Sequence, residues 1–488
     1  MAFTAEYLPS LPSVLVFLLP LLLLSLYNLY LHPLAAYPGP LLSRALPFPQ
    51  ALRIMSGHGP LDVHELHERY GPVVRLGPNH LSYTDVRAWQ DAYGHRTSLG
   101  EHVGAKENAK SKLFFAESLT EGKIDGGAPN ILSADREEHS RLRRAMAAGF
   151  SEKAMRRNEG VIKGYVDKLV SGLKKRVEKG NGEVKLNIVP WFNWTMFDIV
   201  GDLVFAESFG CLEAERDHPF VAMILAVIPE FAWMLGLKYM RLGKVPVVRT
   251  VLSKAVQWLA AGSQKEMREM MGAKPSEEPE TTASLLSGMI FLLLDSPDVM
   301  DKLKHEVRSS FKRADEITLD SVSRLPYMLA CLNEGLRRYP PAVSNVPRDV
   351  HKGGAVIAGQ FVPDDTIVEI QFYAMNHSSR NWRDPFAFRP EKWLDKVDNE
   401  IIESEGTSEE KSDGDRLEAM QSFSVGPRNC IGRNLAIAEM RLILARFILE
   451  FEFTLAEESK DWIKQNKVYS AWARPPLWTH LTLVKRDE

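Results

Sequence analysis

The residue with the most distinctive chemistry is Cys430, which lies in the stretch FSVGPRNCIG from Phe423 to Gly432. Apolar residues recur at spacings of three and four from Leu435 to Leu449, and this pattern predicts a helix directly after the stretch. The cysteine therefore precedes a helix N-terminus, where main-chain N–H groups and the positive end of the helix dipole stabilise a thiolate. The position predicts a reactive or metal-binding sulfur.

The neighbours of the cysteine indicate what the sulfur binds. Gly426 and Gly432 let the main chain pass close to a large flat group without a Cβ in the way. Arg428 places a cation near the thiolate, where it suits an anionic substituent of the same group. Such a thiolate is suited to haem iron. A buried structural cysteine would explain the thiol but not the surrounding Phe, Gly and Arg.

The stretch resembles the haem-binding loop F-x-x-G-x-R-x-C-x-G of the cytochrome P450 family, without a departure. The resemblance implies that Cys430 is the ligand to iron and that Phe423, Gly426, Arg428 and Gly432 help to bind haem b. It also implies the mainly α fold of that family, with small β-sheets.

A second motif, Glu334-Gly-Leu-Arg337, resembles the E-x-x-R pair of the same family, whose two residues share a helix face. A buried pair of this kind needs further partners. The family supplies an arginine from a P-E-R-F/W motif, but this chain has Lys392 in the sequence PEKW. Lysine keeps the charge and loses the planar fork, so Arg389 is an alternative third member of the network.

Three further residues stand in places that resemble haem-propionate contacts. His139 and Arg143 lie four apart in a basic segment similar to the family's W-x-x-x-R, with His in place of Trp. Arg348 follows the proline in NVPR. The resemblance implies that Arg143, Arg348 and Arg428 hold the propionates, although each position also suits an ordinary surface residue.

The family's A-G-x-[DE]-T-[T] stretch, whose acid and alcohol relay protons, is matched only in its second half. Glu280, Thr281 and Thr282 match it, but the residues at 277–279 are Glu-Glu-Pro. A proline suits a helix start, so we expect a helix to begin here, with Glu280 and Thr281 as the proton-delivering residues. Ala261-Gly262 lacks the acid–alcohol pair. A lost exon, a degenerate protein and a chemistry without a proton relay all explain the gap.

The N-terminal segment has no charged residue from Tyr7 to Leu31. About 20 apolar residues suffice to cross a bilayer core, so we predict a single transmembrane anchor at 1–31, with residues 8–31 in the membrane. A cleaved signal peptide is the alternative, but the basic region that it needs is missing. Prolines predict a stiff hinge at 32–43. The first basic residues follow the anchor, which places the remainder in the cytosol, and we expect the endoplasmic reticulum membrane.

The composition of the 488-residue chain, 45% hydrophobic and 25% charged, is that of a folded globular protein. A net charge of −3 gives no electrostatic case for nucleic-acid binding. Three cysteines predict a reducing compartment without a disulfide framework. Because neither a repeat nor a flexible linker divides the body, we expect one haem-thiolate monooxygenase domain at 44–488. The acidic composition of residues 395–418 is typical of a solvated surface insertion.

The resemblance implies a monooxygenase that inserts one atom of O₂ into a hydrophobic small molecule by hydroxylation or epoxidation. NADPH–cytochrome P450 reductase would supply the electrons. The sequences YNLYLHPLAAYPGP and RYGPVVRLGPNHLSY are similar to fungal microsomal members of secondary metabolism. A haem-thiolate isomerase or dehydratase that needs no O₂, and a haem-binding relic with impaired catalysis, are the alternatives.

Overall fold

The computed structural model describes residues 11–94, 108–111, 131, 134–240, 280–396, 414–469 and 472–485. Helices dominate these ranges and the strands are short, which confirms the predicted mainly α fold with small sheets. Most of the acidic insertion expected at 395–418 lies outside the described residues.

Helices and strands follow one another through the described ranges. The helices are α1 (Leu11–Leu26), α2 (Leu41–Ala45), α3 (Phe48–Ser56), α4 (Gly59–Tyr70), α5 (Arg136–Ala147), α6 (Glu152–Lys179), α7 (Val189–Phe205), α8 (Cys211–Ala214), α9 (Pro219–Tyr239), α10 (Glu280–Leu294), α11 (Pro297–Ser310), α12 (Leu319–Val322), α13 (Pro326–Arg338), α14 (Phe372–His377), α15 (Arg433–Glu450) and α16 (Trp462–Gln465). The strands are β1 (Val73–Gly77), β2 (His80–Tyr83), β3 (Ala109–Lys110), β4 (Glu183–Asn187), β5 (Arg348–Asp349), β6 (Ala355–Ile357), β7 (Gln360–Val362), β8 (Ile367–Glu369), β9 (Phe451–Leu455), β10 (Lys467–Val468), β11 (Trp472–Ala473) and β12 (Trp478–Leu483).

The core of the molecule forms where α10, α13 and α15 meet, and small residues set how closely they approach. A Cβ added to Gly335 of α13 would lie 2.0 Å from the Met289 sulfur of α10. One added to Gly288 of α10 would lie 2.3 Å from the ring of Tyr339. Two glycines therefore allow α10 to lie against α13 and the residue that follows it.

A five-stranded sheet in the order β1-β2-β8-β5-β3 flanks this core. β2 and β8 run parallel, with His80 opposite Ile367. β5 pairs antiparallel with β8, with Arg348 opposite Val368. The sheet thus brings Arg348 next to the strand that ends at Glu369. A three-stranded sheet in the order β4-β12-β9 holds the C-terminal segment.

A buried acid joins α10 to α15. Glu439 is 3% exposed, and the Thr282 hydroxyl donates a hydrogen bond to it. Burial raises the pKa of Glu439 to about 8, because the low-dielectric interior disfavours the charged form. At neutral pH the carboxyl is therefore largely protonated, and it acts as a neutral polar contact between the two helices.

The C-terminal end of the apolar N-terminal segment packs into the body. The Asn28 side chain is buried and donates to the main-chain oxygen of Ala45 at 2.8 Å. The fully buried Arg75 donates to the main-chain oxygens of Asn28 (2.9 Å) and Leu34 (3.1 Å). These contacts begin before residue 31, where the sequence places the end of the anchor, and Leu34 of the expected hinge is itself buried.

Among the described residues, no single helix combines the length and the apolar composition needed to cross a bilayer. Leu19–Leu31 forms a shorter apolar helix. Thr281–Leu294 and Pro297–Ser310 meet the criterion only as a pair, and that pair is bent by 110°. The transmembrane helix expected at 1–31 is therefore not shown, and residues 1–10 lie outside the described residues.

Two truncations test how the N-terminal segment is divided. Deleting residues 1–26 removes apolar residues and keeps Asn28, so we expect the protein to move from the membrane pellet to the supernatant with an unchanged thermal midpoint. Deleting residues 1–31 also leaves the buried Arg75 without one acceptor, at a cost of about 1–3 kcal/mol. The midpoint of that variant should fall. Asn28→Ala in the full chain is the matched control, because it removes the side-chain hydrogen bond to Ala45 and keeps the main-chain oxygen that accepts from Arg75. Equal midpoints for both truncations would contradict the role given to Asn28.

Glu439→Gln tests the buried acid through pH. The pKa of Glu439 rises from the ordinary 4.5 to about 8 in the folded chain, so folding binds a proton between these two values. Stability then falls as pH rises through that window. We expect E439Q to raise the thermal midpoint at pH 7.5 and to raise it less at pH 5.5. Glu450→Gln is the control, because Glu450 is also buried on α15 but pairs with Lys174 at 2.8 Å; it should lower the midpoint. An equal gain for E439Q at both pH values would show that Glu439 is ionised.

Candidate active site

Cys430 is held in a tight loop directly before α15. Its main-chain N–H donates to the Phe423 oxygen at 2.9 Å, and Gly432 is the residue before the first turn of α15. The side chain is exposed, whereas Cys211 and Cys331 are buried. Burial raises the pKa of Cys211 to about 12 and that of Cys331 well above its ordinary value. Of the three cysteines, Cys430 is therefore the one presented for ligation beside a helix N-terminus.

The loop is clamped on one side by Tyr93, which the sequence analysis did not identify. Gly426 has a φ of +76°, and a Cβ at that position would lie 2.1 Å from the main-chain oxygen of Tyr93. A glycine is required there for both reasons. On another side the Asn345 amide donates to the Ser424 hydroxyl at 2.8 Å. Tyr93 belongs to none of the motifs, so spacing gave no signal for it, whereas Asn345 is the first residue of NVPR, from which the sequence analysis selected only Arg348.

Two of the predicted propionate arginines bind the main chain around the loop. Arg143 of α5 donates to the Asn429 main-chain oxygen at 2.6 Å and also to its side-chain oxygen. Arg428 donates to the Ala134 oxygen at 3.0 Å, directly before α5. His139, one turn before Arg143, is buried. Through these contacts of Arg143 and Arg428, the structure brings α5 and the cysteine loop together.

The third predicted arginine, Arg348, reaches the same region from the sheet. It is 3% exposed, and its guanidinium lies 4.9 Å from the centre of the Tyr93 ring. Because the main chain of Tyr93 contacts Gly426, Arg348 and the cysteine loop share one neighbour. An exposed soft sulfur, a loop that excludes a Cβ and guanidinium groups from three segments form a donor set that fits haem b.

The Glu334–Arg337 pair of α13 has no exposed side-chain surface. Arg337 makes two bonds to the Glu334 carboxylate, at 2.9 and 2.8 Å. It also donates to the main-chain oxygens of Asn376 (2.9 Å), Pro385 (2.6 Å) and Ala387 (2.8 Å). Burial opposes ionisation of Glu334, but the Arg337 charge and its hydrogen bonds hold the pKa of that carboxyl below its usual range.

The two candidates for the third member of this network differ in how they reach Glu334. The Lys392 side chain is 8% exposed, with its ammonium 3.4 Å from Glu334 and 3.0 Å from Asp415. Arg389 contacts Glu334 only through its main-chain N–H, at 2.9 Å, while its side chain pairs with Asp384 at the surface. The third member of the network, after Glu334 and Arg337, is therefore the side chain of Lys392. The indole N–H of Trp393 adds a further bond to Glu334 at 2.9 Å.

The predicted proton-delivering residues lie at the first turn of α10, which begins at Glu280. Thr281 is exposed, whereas Thr282 is buried against Glu439. Residues 241–279, which include the Glu-Glu-Pro segment and Ala261-Gly262, lie outside the described residues.

Comparison with known proteins gives matches over nearly the whole chain. The family model for cytochrome P450 matches residues 38–246 and 263–481. The chain is 39% identical over 495 residues to the cytochrome P450 monooxygenase tpeC of Talaromyces stipitatus, covering 95% of this chain and 93% of that one. It is 36% identical over 498 residues to the trichothecene C-15 hydroxylase of Fusarium sporotrichioides (94% and 95% covered). It is 37% identical over 492 residues to the averantin hydroxylase of Dothistroma septosporum (93% and 88% covered).

The family match includes the segments that hold the cysteine loop, the buried ion pair and the three arginines. The similarity to these relatives covers 93–95% of this chain and 88–95% of the relatives' own lengths. The chain therefore belongs to the cytochrome P450 family of haem b-dependent monooxygenases.

Proposed function

We propose that the protein hydroxylates or epoxidises a hydrophobic small molecule in fungal secondary metabolism. It would use O₂ and electrons from NADPH–cytochrome P450 reductase. The presentation of Cys430, exposed in a clamped loop before α15, is the observation that carries the proposal. The names of relatives, a trichothecene C-15 hydroxylase and an averantin hydroxylase, support the reaction class.

The residues of the loop have distinct tasks in binding the cofactor. Cys430 ligates the iron through its sulfur, and the N-terminus of α15 stabilises the thiolate. Arg143, Arg348 and Arg428 hold the propionates by charge-assisted hydrogen bonds. Phe423, Gly426, Gly432 and His139 pack around them. When bound, the haem supplies the activation of O₂.

Proton delivery falls to Glu280 and Thr281 at the start of α10. A hydroxyl passes a proton on when it donates on one side and accepts on the other, so Thr281 would take a proton from Glu280 and give it to the reacting oxygen. The exposure of Thr281 also admits water. Because a site that is open to water is prone to side reactions, we propose that the protein spends part of its NADPH without forming product.

The site of action follows from the N-terminal segment. Leu19 and Leu31 belong to a short apolar helix with several exposed leucines. We propose that this helix holds the protein at the endoplasmic reticulum membrane, with the haem domain in the cytosol, where the reductase delivers electrons.

A haem-thiolate isomerase or dehydratase is the second candidate. The residues Glu277-Glu278-Pro279, in place of Ala-Gly-x, favour it because such chemistry needs no proton relay to oxygen. NADPH consumption with added reductase distinguishes the two, since the second candidate would consume none.

Cys430→Ala tests the proposed ligation. Without the sulfur there is no soft anionic ligand in the loop, so we expect the carbon monoxide difference spectrum of the reduced protein to lose its thiolate-type Soret band. Cys211→Ala, at a buried cysteine of α8, should retain the band. A normal band in the Cys430 variant would refute the haem-thiolate reading.

Thr281→Ala tests proton delivery. We expect a lower ratio of product formed to NADPH consumed, with peroxide rising correspondingly, because the variant lacks the hydroxyl that carries the proton. Thr281→Ser restores a hydroxyl and should recover the ratio. The opposite result, an unchanged ratio in the alanine variant, would exclude Thr281 from the relay.

A further inference from the structure

A cavity of about 70 Å³ lies between α3, the C-terminal end of α9 and the five-stranded sheet. It has room for several waters or for one end of a small molecule. Ile54, Leu235 and Val468 contribute apolar lining, and the loop that leads to Arg348 contributes Ser344 and Pro347. The cavity is distinct from the cysteine loop but reaches a segment of the candidate site.

One side of the cavity, here called the polar wall, consists of His80, Tyr239, Glu369 and Gln371. Each of the four is less than a tenth exposed. The Gln371 amide nitrogen donates to Glu369 at 2.9 Å, and the other Glu369 oxygen lies 3.5 Å from His80. The second ring nitrogen of His80 is 3.1 Å from the Tyr239 hydroxyl. These contacts fix the orientation of the Gln371 amide.

The amide oxygen of Gln371 has an unmet need for a hydrogen bond. It is buried, as is Gln371 as a whole, which is only 6% exposed. The oxygen has no hydrogen-bond partner within the described part of the chain. Its amide nitrogen is committed to Glu369, so the amide cannot turn over without losing that bond. Burial opposes ionisation of Glu369, but His80 and the Gln371 amide hold the pKa of that carboxyl below its usual range. The wall therefore places a buried acceptor without a donor, the Gln371 amide oxygen, in a residue that lines the cavity.

The position of the polar wall relates the cavity to the candidate site. Glu369 ends β8, which pairs with β5 through Val368 and Arg348. The next residue, Ile370, donates its N–H to the Tyr93 hydroxyl at 3.4 Å. A molecule held by the wall would thus lie against the same sheet as Arg348, next to the main chain that contacts Tyr93.

We propose that Gln371 is a specificity-determining residue whose amide oxygen accepts a hydrogen bond from a hydroxyl group of the substrate. A buried acceptor without a donor is destabilising. A substrate hydroxyl would donate the missing hydrogen bond, and the adjoining hydrocarbon would pack against the apolar lining. The substrate class is then a hydrophobic alcohol and not a pure hydrocarbon, so a reaction that leaves a free hydroxyl must precede this one. The inference rests on the proposed function.

The test compares two probes of equal size, 1-decanol and 1-methoxynonane, with the haem-loaded protein. Binding is measured by calorimetry, so that it requires neither turnover nor a spectral shift. We expect the natural protein to bind the alcohol about tenfold more tightly than the ether. Gln371→Met should bring the ratio of the two dissociation constants close to one by weakening alcohol binding alone. The main-chain oxygen of Gln371, which accepts from Met375 at the start of α14, is kept in this variant.

Gln50→Met is the matched control. Gln50 also lines the cavity and is buried, but its amide oxygen already accepts from Arg53 at 3.2 Å. It should keep the preference for the alcohol. Equal binding of both probes by the natural protein, or an undiminished preference in a folded Gln371 variant, would overturn the proposal. The carbon monoxide spectrum tests the haem-thiolate function separately: a lost spectrum with a retained alcohol preference would refute that function and leave Gln371 only as an alcohol-binding residue.

Discussion

The geometry of the site depends on the buried ion pair between Glu334 and Arg337. Two charges without exposed surface are costly unless their remaining bonding positions are filled. Main-chain oxygens in α14 and in the segment after it fill those of Arg337, while Lys392 and the Trp393 indole fill those of Glu334. The pair therefore pins the segment after α14 against α13. The Ser422 hydroxyl, directly before the cysteine loop, bonds to the main chain of α13 at 3.4 Å.

The presentation of Cys430 follows from contacts on every side of its loop. Tyr93 leaves no room for a Cβ at Gly426, Asn345 holds Ser424, and Arg143 holds Asn429. With its neighbours fixed in this way, the sulfur stays at the surface of the loop beside the α15 N-terminus. In the proposed function, a sulfur that is held in place before the cofactor arrives requires little ordering when it binds. The same clamps bring guanidinium groups from α5 and the sheet to one region.

The contact that Glu439 makes between α15 and α10 does not use an ion pair of the Glu334–Arg337 kind. Burial raises the pKa of Glu439 to about 8, so the carboxyl stays largely protonated, and it contacts α10 through Thr282. Thr281, one residue earlier, is exposed. At the start of α10, the Thr282 hydroxyl therefore makes a structural contact and Thr281 faces solvent. For this reason the proposed function links the exposure of Thr281 to proton delivery.

The sequence by itself determined the features that are local in the chain. The helix at 433–450, the glycine requirement at Gly426 and the shared face of Glu334 and Arg337 all follow from short spacings. Only the tertiary structure decided which partners complete them. It selected the Lys392 ammonium over the Arg389 guanidinium because the side chain of Arg389 turns outward to Asp384. It also supplied Tyr93, the Asn28 contacts and the polar wall. These residues come from segments far apart in the chain, and no local pattern records their proximity.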